Sequence, residues 1–314
     1  MDYKDYKVII DTDIGDDVDD LFAVLFAETA GLDVVGYTTV FRNSVQRAKM
    51  LKYVLRKLNL RNTPVYAGID NPFVQKIQDL RTPEMYEKEQ ALGYYRLPQY
   101  LDDMDGEQFD GNNAVDFLIE SAKKYGDKLV IMAIGPLTNV ALAIAKEPEI
   151  MKGIKELRII AGAYELPFPE WNVLCDPEAA RIVMTSGIDV KVFGLNVTSK
   201  CPLTDEMLDV LKNLKNPDAR FIKTMVDMWF AHYNFDRPVM HDPLLIASFM
   251  DDKAVTYFKK NLLIDLAKER RGFTVIEEDA SIYNSQVEIG LEVEPERFYK
   301  PFTETVFKLL KENC

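Results

Sequence analysis

The chain has 314 residues, of which 47% are hydrophobic, and a formal net charge of −13. This length and apolar content suffice for a large buried core, in one large α/β domain or two smaller ones. The acidic balance argues against a nucleic-acid partner, because no excess of basic residues is present to neutralise phosphates.

Cysteine use and the amino-terminal residues indicate the cellular compartment. Cys175, Cys201 and Cys314 are widely spaced and form no CxxC pair, which favours reduced thiols in an intracellular protein. Residues 1–7 are polar and acidic, unlike a secretory signal, and the apolar run 21–27 is too short to span a bilayer. We therefore expect a soluble, cytoplasmic protein with no membrane partner.

Apolar runs alternate with segments of helical periodicity along the chain. This alternation predicts a single α/β domain, 1–314, with a mostly parallel open sheet flanked by helices. The predicted strands are 8–10, 34–40, 65–67, 129–134, 157–161, 190–197, 273–278 and 287–293. The predicted helices are 21–29, 44–58, 114–124, 139–145, 177–185, further helices within 203–250, and a closing helix at 295–311. Segment 70–111 has no clean period and is predicted to be a partly helical insertion near the site.

Six aspartates fall within ten residues directly after the first predicted strand: Asp11, Asp13, Asp16, Asp17, Asp19 and Asp20. Carboxylates this close repel one another, and burial at a strand end would raise their pKa values. A cation among the oxygens removes this cost, whereas a helix cap in a solvated loop needs only one or two aspartates. Oxygen ligands without His or Cys suit Ca²⁺ or Mg²⁺ rather than zinc. The segment therefore predicts a metal site.

Other polar groups lie at the carboxyl ends of later predicted strands. The turn Gly135-Pro136-Leu137-Thr138-Asn139 follows the strand at 129–134 and opens a helix, and Asn196 lies near the end of the strand at 190–197. Ligands of open α/β sheets bind beyond these strand ends. We expect the groups to share one crevice, although this convergence does not name the chemistry.

The segment Met240-His241-Asp242-Pro243 has two interpretations. It precedes a predicted helical run at 244–249, so Asp242 is either the N-cap of that helix or a distant carboxylate of the metal site. His241 is one of only two histidines in the chain.

The segment 169–180 also combines structural and functional signals. Asp176 followed by Pro177 is typical of an N-cap and the first helical position. Glu170 and Asn172 lie two residues apart, so an extended backbone would point both to one side. An acid and an amide together suit the binding of sugar hydroxyls.

These motifs together resemble the nucleoside hydrolase family, the metal-dependent N-ribohydrolases that split nucleosides into ribose and base. The family's D-x-D-x-G motif, followed by an aspartate pair and a helix, is matched by residues 11–15 and by Asp19-Asp20. The resemblance continues through Tyr37-Thr38-Thr39-Val40 with Asn43, the 135–139 turn, Glu170-Trp171-Asn172, Asp176-Pro177-Glu178-Ala179-Ala180, His241-Asp242-Pro243 and residues 287–293. It implies a Rossmann-like nucleoside hydrolase fold, an N-glycosyl hydrolase activity on ribonucleosides in purine or pyrimidine salvage, and a homodimer or homotetramer.

The resemblance also implies a Ca²⁺ cofactor. Its ligands would be Asp13, Asp20, Asp242 and the backbone carbonyl of Ile134, completed by the two vicinal hydroxyls of the ribose. Asp13 would in addition be the general base for the water that the metal activates. Asp11 would orient the loop from behind these ligands.

For the sugar, the resemblance implies that Asp19 accepts a hydrogen bond from one ribose hydroxyl. Asn43, Glu170 and Asn172 would bind the others.

For the base, His241 is the candidate general acid, because an unperturbed pKa near 6.5 suits proton donation at neutral pH. Trp229, Tyr233 and the Tyr94-Tyr95 pair are candidates for stacking on the base. Aromatic residues four apart in a helix, such as Trp229 and Tyr233, are also typical of core packing.

The chain departs from the family pattern at three places. It has two aspartate pairs after Gly15, of which we assign Asp19-Asp20 because residues 21–25 continue as the family's helix does. The loop 164–169 is short and lacks an asparagine that many members use on the sugar. Residues 101–111 lack the histidine that pyrimidine-preferring members often have there. Base preference is therefore left open.

Two other protein classes compete with this interpretation. A phosphatase of the haloacid dehalogenase type also begins with a strand ending in D-x-D and binds Mg²⁺, but it needs Thr or Val two residues after the second aspartate, where this chain has Gly15. A nucleoside- or ribose-binding homologue without turnover would keep the fold. The presence of Asp13, Asp20, Asn172 and His241 argues against it.

Overall fold

Strand β1 (Lys7–Thr12) lies inside the sheet and is buried on both of its faces. Val8 and Ile10 belong to one hydrophobic cluster, whereas Ile9 belongs to a second cluster on the opposite face. Side chains alternate between the two faces of a strand, so a run of apolar residues requires helices on both sides of the sheet. This layering is what the sequence predicts.

The computed structural model describes residues 2–76, 80, 83–164, 166–214, 217–277 and 285–312. Within these ranges nine strands form one sheet in the order β3-β2-β1-β4-β5-β6-β9-β7-β8. The strands after β1 are β2 (Val34–Thr39), β3 (Val65–Ala67), β4 (Leu129–Ala133), β5 (Glu156–Ile160), β6 (Val190–Phe193), β7 (Val255–Ile264), β8 (Thr274–Glu277) and β9 (Gln286–Val293). The pairs are parallel except that β7 runs antiparallel to β9 and β8. The predicted mostly parallel open sheet is confirmed.

The helices cover both faces of this sheet. In chain order they are α1 (Asp19–Thr29), α2 (Ser44–Lys57), α3 (Pro83–Leu92), α4 (Ala114–Tyr125), α5 (Thr138–Lys146), α6 (Pro148–Met151), α7 (Trp171–Cys175), α8 (Pro177–Met184), α9 (Leu195–Thr198), α10 (Asp205–Lys212), α11 (Arg220–His232), α12 (His241–Met250), α13 (Pro295–Phe302) and α14 (Lys308–Glu312). None of the helices in the described ranges is long and apolar enough to cross a membrane.

The order of the strands reverses between β1 and β4. From β1 the chain proceeds to β2 and β3 in one direction, whereas β4, β5 and β6 extend in the other. The two strands pair in parallel with Asp11 opposite Ala133, and the Ile134 N–H donates to the Asp11 carbonyl at 2.8 Å. Such a switch point leaves a crevice beyond the carboxyl ends of the strands, which is where ligands bind in this class of fold.

One predicted strand is too long, and one strand was not predicted. The predicted strand at 190–197 ends at Phe193, because the chain turns at Gly194 and continues as the short helix α9. Strand β7 was not predicted, since its central residues, such as Lys259 and Lys260, are polar and exposed and hide the alternation of an antiparallel strand.

The last third otherwise follows the predicted pattern. Three helices, α10 to α12, occupy the region predicted as mainly helical, and β8 matches the predicted strand at 273–278 as far as residue 277, with Glu278 outside the described residues. The predicted closing helix contains a π-helical segment, Thr303–Phe307, between α13 and α14. Segment 70–111 contains α3 as a helical part, and the insertion itself stays a prediction.

Candidate active site

The aspartate loop connects β1 to α1 at the switch point. Asp19 and Asp20 lie in the first turn of α1, and Asp242 lies in the first turn of α12. The side chains of α1 and α12 belong to the same buried cluster. Helix amino termini carry partial positive charge and favour carboxylates there. The fold therefore brings together carboxylates that are more than 200 residues apart in sequence.

Asp19, Asp20 and Asp242 form a carboxylate cluster whose spacing could hold a metal ion. One carboxylate oxygen from each residue lies within 4.8 Å of the others, and the residues are only 3–4% exposed. The Asp242 N–H donates to Asp19 Oδ2 at 3.3 Å. Asp242 is not an N-cap, because Met240 holds that position and no side chain caps the helix. The N-cap interpretation of Asp242 is therefore excluded, and its position supports the interpretation as a member of the carboxylate cluster.

Electrostatics in this cluster are unfavourable for the ligand-free protein. Burial raises the pKa values of Asp19, Asp20 and Asp242 well above their ordinary range, and the neighbouring carboxylates raise them further. Among the described residues, no Lys or Arg forms an ion pair with any of the three.

Three buried hard oxygen donors at this spacing fit a Ca²⁺ ion, since Ca²⁺ takes carboxylate and carbonyl oxygens in flexible geometry. A divalent cation would also relieve the repulsion that burial imposes. Of the predicted metal ligands, the cluster contains Asp20 and Asp242, together with Asp19, which was predicted as a sugar ligand. The full predicted ligand set stays a prediction.

Asp13 and the turn after β4 flank the cluster. Asp13 is 6% exposed, and burial raises its pKa to about 7, to which the charge of Asp16 contributes. Gly135 packs directly on it, because a Cβ at Gly135 would lie 2.8 Å from Asp13 Oδ1. Any larger residue would push the turn away from the loop. The negative charge of Asp13 acts on Asp20 and Asp242, so it shares their electrostatic field.

The Ile134 carbonyl is held in place by Asn172. Asn172 Nδ2 donates to Ile134 O at 2.9 Å and to Ile160 O at 3.4 Å. A carbonyl oxygen has two lone pairs, so this bond leaves one available to a cation. Asn172, predicted as a sugar ligand, therefore also ties the ends of β4 and β5 together.

Arg47 is the residue that the sequence analysis missed most clearly. It is fully buried, and it donates to the backbone carbonyls of Phe41, Asp13 and Ile14 and to Asp16 Oδ2. These bonds fix the aspartate loop from α2. A signal was present, because Arg47 lies on the apolar stripe of α2, where a charged residue requires a buried partner.

Asp16 differs from the aspartates of the cluster. Although burial acts to raise its pKa, the pKa is lowered, because Arg47 and the Tyr95 hydroxyl stabilise the charged form. Tyr95 donates to Asp16 Oδ1 at 2.6 Å, so segment 70–111 does contact the loop. Asp16 is committed to these partners and not to the cluster.

Asp11 and Thr12 support the loop from behind. Asp11 Oδ1 accepts from Thr38 Oγ1 at 2.6 Å and from Asn139 Nδ2 at 2.8 Å, which links β1 to β2 and α5. Burial raises the pKa of Asp11 to about 7. Thr12, another residue not predicted, donates its hydroxyl to Asp20 Oδ1. Thr12 therefore contacts the cluster directly, whereas Asp11 connects β1 to its neighbours. The predicted role of Asp11 in orienting the loop stays a prediction.

Glu170 is buried at the amino terminus of α7. Its carboxylate accepts from the N–H groups of Asn172 and Val173, at 2.8 and 3.1 Å, so it is the N-cap of this helix. The expected extended backbone at Glu170 and Asn172 is therefore wrong, because Asn172 is already helical. Burial raises the pKa of Glu170 to about 7. Asp176 caps α8 as predicted, accepting from the Ala179 N–H.

Asn43, another predicted sugar ligand, already has partners. Its Oδ1 accepts from the Gln46 N–H at 3.2 Å, which makes it the N-cap of α2. Its Nδ2 donates to the Tyr95 carbonyl at 2.8 Å. One amide hydrogen is left for a ligand, so the residue is primarily a local support of the loop.

His241 contacts α9 rather than a charged group. Its Nδ1 lies 2.7 Å from Thr198 Oγ1. Burial lowers the pKa of His241 to about 4. The expectation of an ordinary pKa is therefore wrong, because the surroundings disfavour the imidazolium, and the ring is neutral at physiological pH.

The predicted aromatic residues divide into core and rim. Trp229 is 3% exposed and packs on Tyr233, with ring centroids 5.5 Å apart, so its packing is that of a core residue. Tyr233 is only partly buried, and its hydroxyl donates to the Asp16 carbonyl at 3.3 Å. Phe235 stacks on Tyr233 and is 67% exposed. Tyr233 and Tyr95 thus border the aspartate loop, whereas Tyr94 is exposed at 46%.

Tyr164 was not singled out by the sequence. Its hydroxyl is buried and has no hydrogen-bond partner among the described residues. Burial raises the pKa of Tyr164, and the charge of nearby Glu170 contributes to this rise. Its ring fills the space over Gly194, where a Cβ would lie 2.7 Å from Tyr164 Cε2. An unpaired buried hydroxyl beside Glu170 is a free donor for a ligand.

Comparison with known proteins identifies the family. A family model described as inosine-uridine preferring nucleoside hydrolase matches residues 8–300. The chain is 31% identical over 295 residues to the probable uridine nucleosidase 1 of Oryza sativa subsp. japonica, which covers 89% of this chain and 87% of that protein. It is 28% identical over 282 residues to the inosine-uridine preferring nucleoside hydrolase of Crithidia fasciculata, covering 86% and 87%.

A solved structure agrees with these relatives. The purine-preferring ribonucleoside hydrolase from Gardnerella vaginalis superposes on the chain with a TM-score of 0.82 and 26% identity, covering 98% of this chain and 99% of that one. The interpretation as a haloacid dehalogenase-type phosphatase is therefore wrong. The chain belongs to the inosine-uridine preferring nucleoside hydrolase family, and it is an N-glycosyl hydrolase of ribonucleosides.

Proposed function

We propose that the protein hydrolyses ribonucleosides to ribose and free base in a Ca²⁺-dependent reaction with Asp13 as the general base. The observation that carries this proposal is the buried cluster of Asp19, Asp20 and Asp242, which has no cationic partner among the described residues and lies at the switch point of the sheet. A purely structural cluster would need a basic side chain to offset its repulsion.

Asp20, Asp242, Asp13 and the Ile134 carbonyl would hold the ion. When bound, Ca²⁺ acidifies water and orients the two vicinal hydroxyls of the sugar. Asn172 fixes the direction of the Ile134 carbonyl, and Thr12 fixes that of the Asp20 carboxylate. Asp13 lies beside these groups, where its carboxylate can accept the proton of the attacking water.

The sugar would be held by side chains on both sides of the cluster. Asp19 is close enough to the other carboxylates to accept a hydrogen bond from a ribose hydroxyl or to bind the ion itself. Glu170 accepts two N–H groups and retains lone pairs for a further hydroxyl. The free hydroxyl of Tyr164 can donate beside it.

His241 would assist the leaving base as a neutral imidazole. Nδ1 of the ring lies 2.7 Å from Thr198 Oγ1. In the tautomer in which the Thr198 hydroxyl donates to Nδ1, Nε2 carries the proton and can donate it as a hydrogen bond to the base. Replacing His241 by Ala is expected to slow inosine more than an activated p-nitrophenyl riboside, which needs little help in leaving. Equal slowing of both substrates would remove His241 from this role.

We further propose a cytoplasmic homodimer or homotetramer that serves nucleoside salvage. The free, buried thiols of Cys175 and Cys201 support a reducing compartment. The exposed side chains of Leu166, Phe168 and Trp171 support a contact between subunits near the site, since large apolar side chains close in sequence rarely face water without a partner. Light scattering coupled to gel filtration would give the mass, and a monomer would contradict the proposal.

Ribose release from inosine, adenosine, guanosine, uridine and cytidine tests the proposed function. The assay is run with Ca²⁺, after chelation and after Ca²⁺ is restored, with Asp13→Ala as the inactive control. We expect release that chelation abolishes and Ca²⁺ restores, and a loss of about 10³-fold or more in Asp13→Ala. Release that chelation leaves unchanged would contradict the metal, and no release from any nucleoside would contradict the substrate class.

A further inference from the structure

Arg42 carries a buried guanidinium group with an unused hydrogen-bonding edge. The residue is 6% exposed, and its Nε and Nη2 find no acceptor among the described residues. Its positive charge acts on Asp16 and on Cys175, which itself responds to Asp13 and Glu170. Its central carbon lies 4.3 Å from the ring centroid of Tyr95, whose hydroxyl donates to Asp16, so the guanidinium borders the aspartate loop. A buried cation whose N–H groups lack acceptors is costly, so its retention here calls for a ligand.

The backbone holds Arg42 in an unusual conformation. Phe41 and Arg42 have φ angles of 71° and 55°, a left-handed region that side chains other than glycine rarely adopt. Their N–H groups donate to Ile69 O at 2.8 Å and to Asp70 O at 2.7 Å, which keeps the two residues there. Strain of this kind is typical of positions that place a side chain for function.

The faces of the guanidinium are covered, but one edge is not used. Its central carbon lies 4.3 Å from the Tyr95 ring centroid and 5.5 Å from that of Phe41. Nε and Nη2 form the edge that binds carboxylate or phosphate through two parallel hydrogen bonds. Asp16 does not occupy this edge, because its oxygens accept from Arg47 and Tyr95.

We propose that Arg42 forms an oxyanion subsite of the active site, and that the preferred substrates are nucleosides bearing an anionic group. The anion is either a phosphate on the sugar or a carboxylate on the base, since both present paired oxygens to the free edge. This inference rests on the proposed hydrolysis of ribonucleosides.

The test compares charged and neutral substrates in matched variants. Ribose or ribose-phosphate release is measured with Ca²⁺ for inosine, inosine 5′-monophosphate, uridine, uridine 5′-monophosphate and orotidine. The variants are Arg42→Met and Arg42→Lys, with Arg56→Met as the control. Arg56 is an exposed arginine of the neighbouring helix α2 that is paired with Glu107. Calorimetric titration of inosine 5′-monophosphate and orotidine gives affinities independent of turnover.

We expect the wild type to prefer either the monophosphates or orotidine, which identifies the source of the anion. Arg42→Met should lower kcat/KM and affinity for that compound by about 10- to 100-fold, the usual effect of losing hydrogen bonds to a charged group. Neutral nucleosides should change less than threefold, and Arg56→Met should match the wild type. Arg42→Lys keeps the charge without the fork and should recover only part of the loss, which separates recognition from misfolding.

Two results would overturn the inference. One is hydrolysis of neutral nucleosides without preference for any anionic compound, and the other is an equal effect of Arg42→Met on both classes. In either case the proposed function stands. If no compound is hydrolysed, the proposed function fails, and affinity for an anionic nucleoside that Arg42→Met abolishes would still support the subsite.

Discussion

Asp16 in the aspartate loop and Asp20 in the first turn of α1 lie four residues apart in sequence, yet their surroundings are opposite. Asp16 is paired with Arg47 and Tyr95, and its pKa is lowered. Asp20 lies against Asp19 and Asp242 without a basic partner among the described residues, and its pKa is raised well above the ordinary range. The same side chain therefore stabilises the loop at one position and stores repulsion at the other.

This contrast separates the support of the site from its chemistry. Arg47 fixes the acidic loop in place, because its guanidinium donates to three backbone carbonyls and one carboxylate. The repulsion among Asp19, Asp20 and Asp242 is unfavourable in the absence of a cation, so binding of the ion should increase stability. Variants that remove the contacts of Asp16 or the charge of Asp20 test this difference.

The largest effect is expected for Arg47→Met. The substitution leaves the Asp16 charge and three backbone carbonyls without their buried donor, so the free energy of unfolding should fall by about 3 to 5 kcal/mol. Arg56→Met on the same helix α2 is the control, since its exposed ion pair contributes little, within about 0.5 kcal/mol. Urea denaturation of both variants measures the difference, and equal stabilities would remove Arg47 from its supporting role.

Smaller changes in stability, of opposite sign, are expected when Asp16 and Asp20 are each replaced by Asn. In chelator at pH 8, Asp16→Asn should lose about 2 kcal/mol of stability, because it weakens the charged hydrogen bonds to Arg47. Asp20→Asn should gain about 1 kcal/mol, because it removes one charge from a repelling cluster while keeping an oxygen for Thr12. Thermal melting of the two proteins gives both signs, and destabilisation of both by the same amount would contradict the contrast.

A further expected effect is the dependence of stability on pH. Burial raises the pKa values of Asp13 and Glu170 to about 7. Between pH 4 and 7 the folded protein therefore holds protons that the unfolded chain has released, so its stability in chelator falls by about 1.4 kcal/mol per pH unit for each such group.

Calcium should reverse this trend, because it competes with protons for the same oxygens. The rise in melting temperature that Ca²⁺ produces is expected to be larger at pH 8 than at pH 5. Melting curves at both pH values, with Ca²⁺ and with chelator, provide the measurement. A Ca²⁺-induced rise that is the same at both pH values would exclude buried carboxylates as the binding groups.

Much of the fold follows from local patterns. The apolar runs of β1, β4 and β5 and the periodicity of α1 and α2 are visible in short windows of sequence, so their positions are predicted to within a few residues. The carboxylate cluster is partly predictable, because six aspartates within ten residues predict a cation site. The residues alone left Asp242 as either an N-cap or a distant metal ligand, and only the resemblance to a family favoured the ligand, since no local pattern connects α12 to α1.

The remaining features depend on tertiary contacts. Nothing local distinguishes Asp16 from Asp20, because the difference is made by Arg47, which reaches the loop from another helix. The pKa of His241 is lowered by burial, which depends on the packed neighbours rather than on the residues next to it. The free edge of Arg42 likewise becomes visible only when every possible partner is placed.

Calorimetric titration of Ca²⁺ into the wild type and Asp242→Asn tests whether the cluster of Asp19, Asp20 and Asp242 binds the metal. We expect one calcium site per chain in the wild type and its loss in Asp242→Asn, with the variant folded and at least as stable as the wild type in chelator. Wild-type affinity for Ca²⁺ in Asp242→Asn would contradict the account, because the cluster of Asp19, Asp20 and Asp242 would then not be the site of the metal.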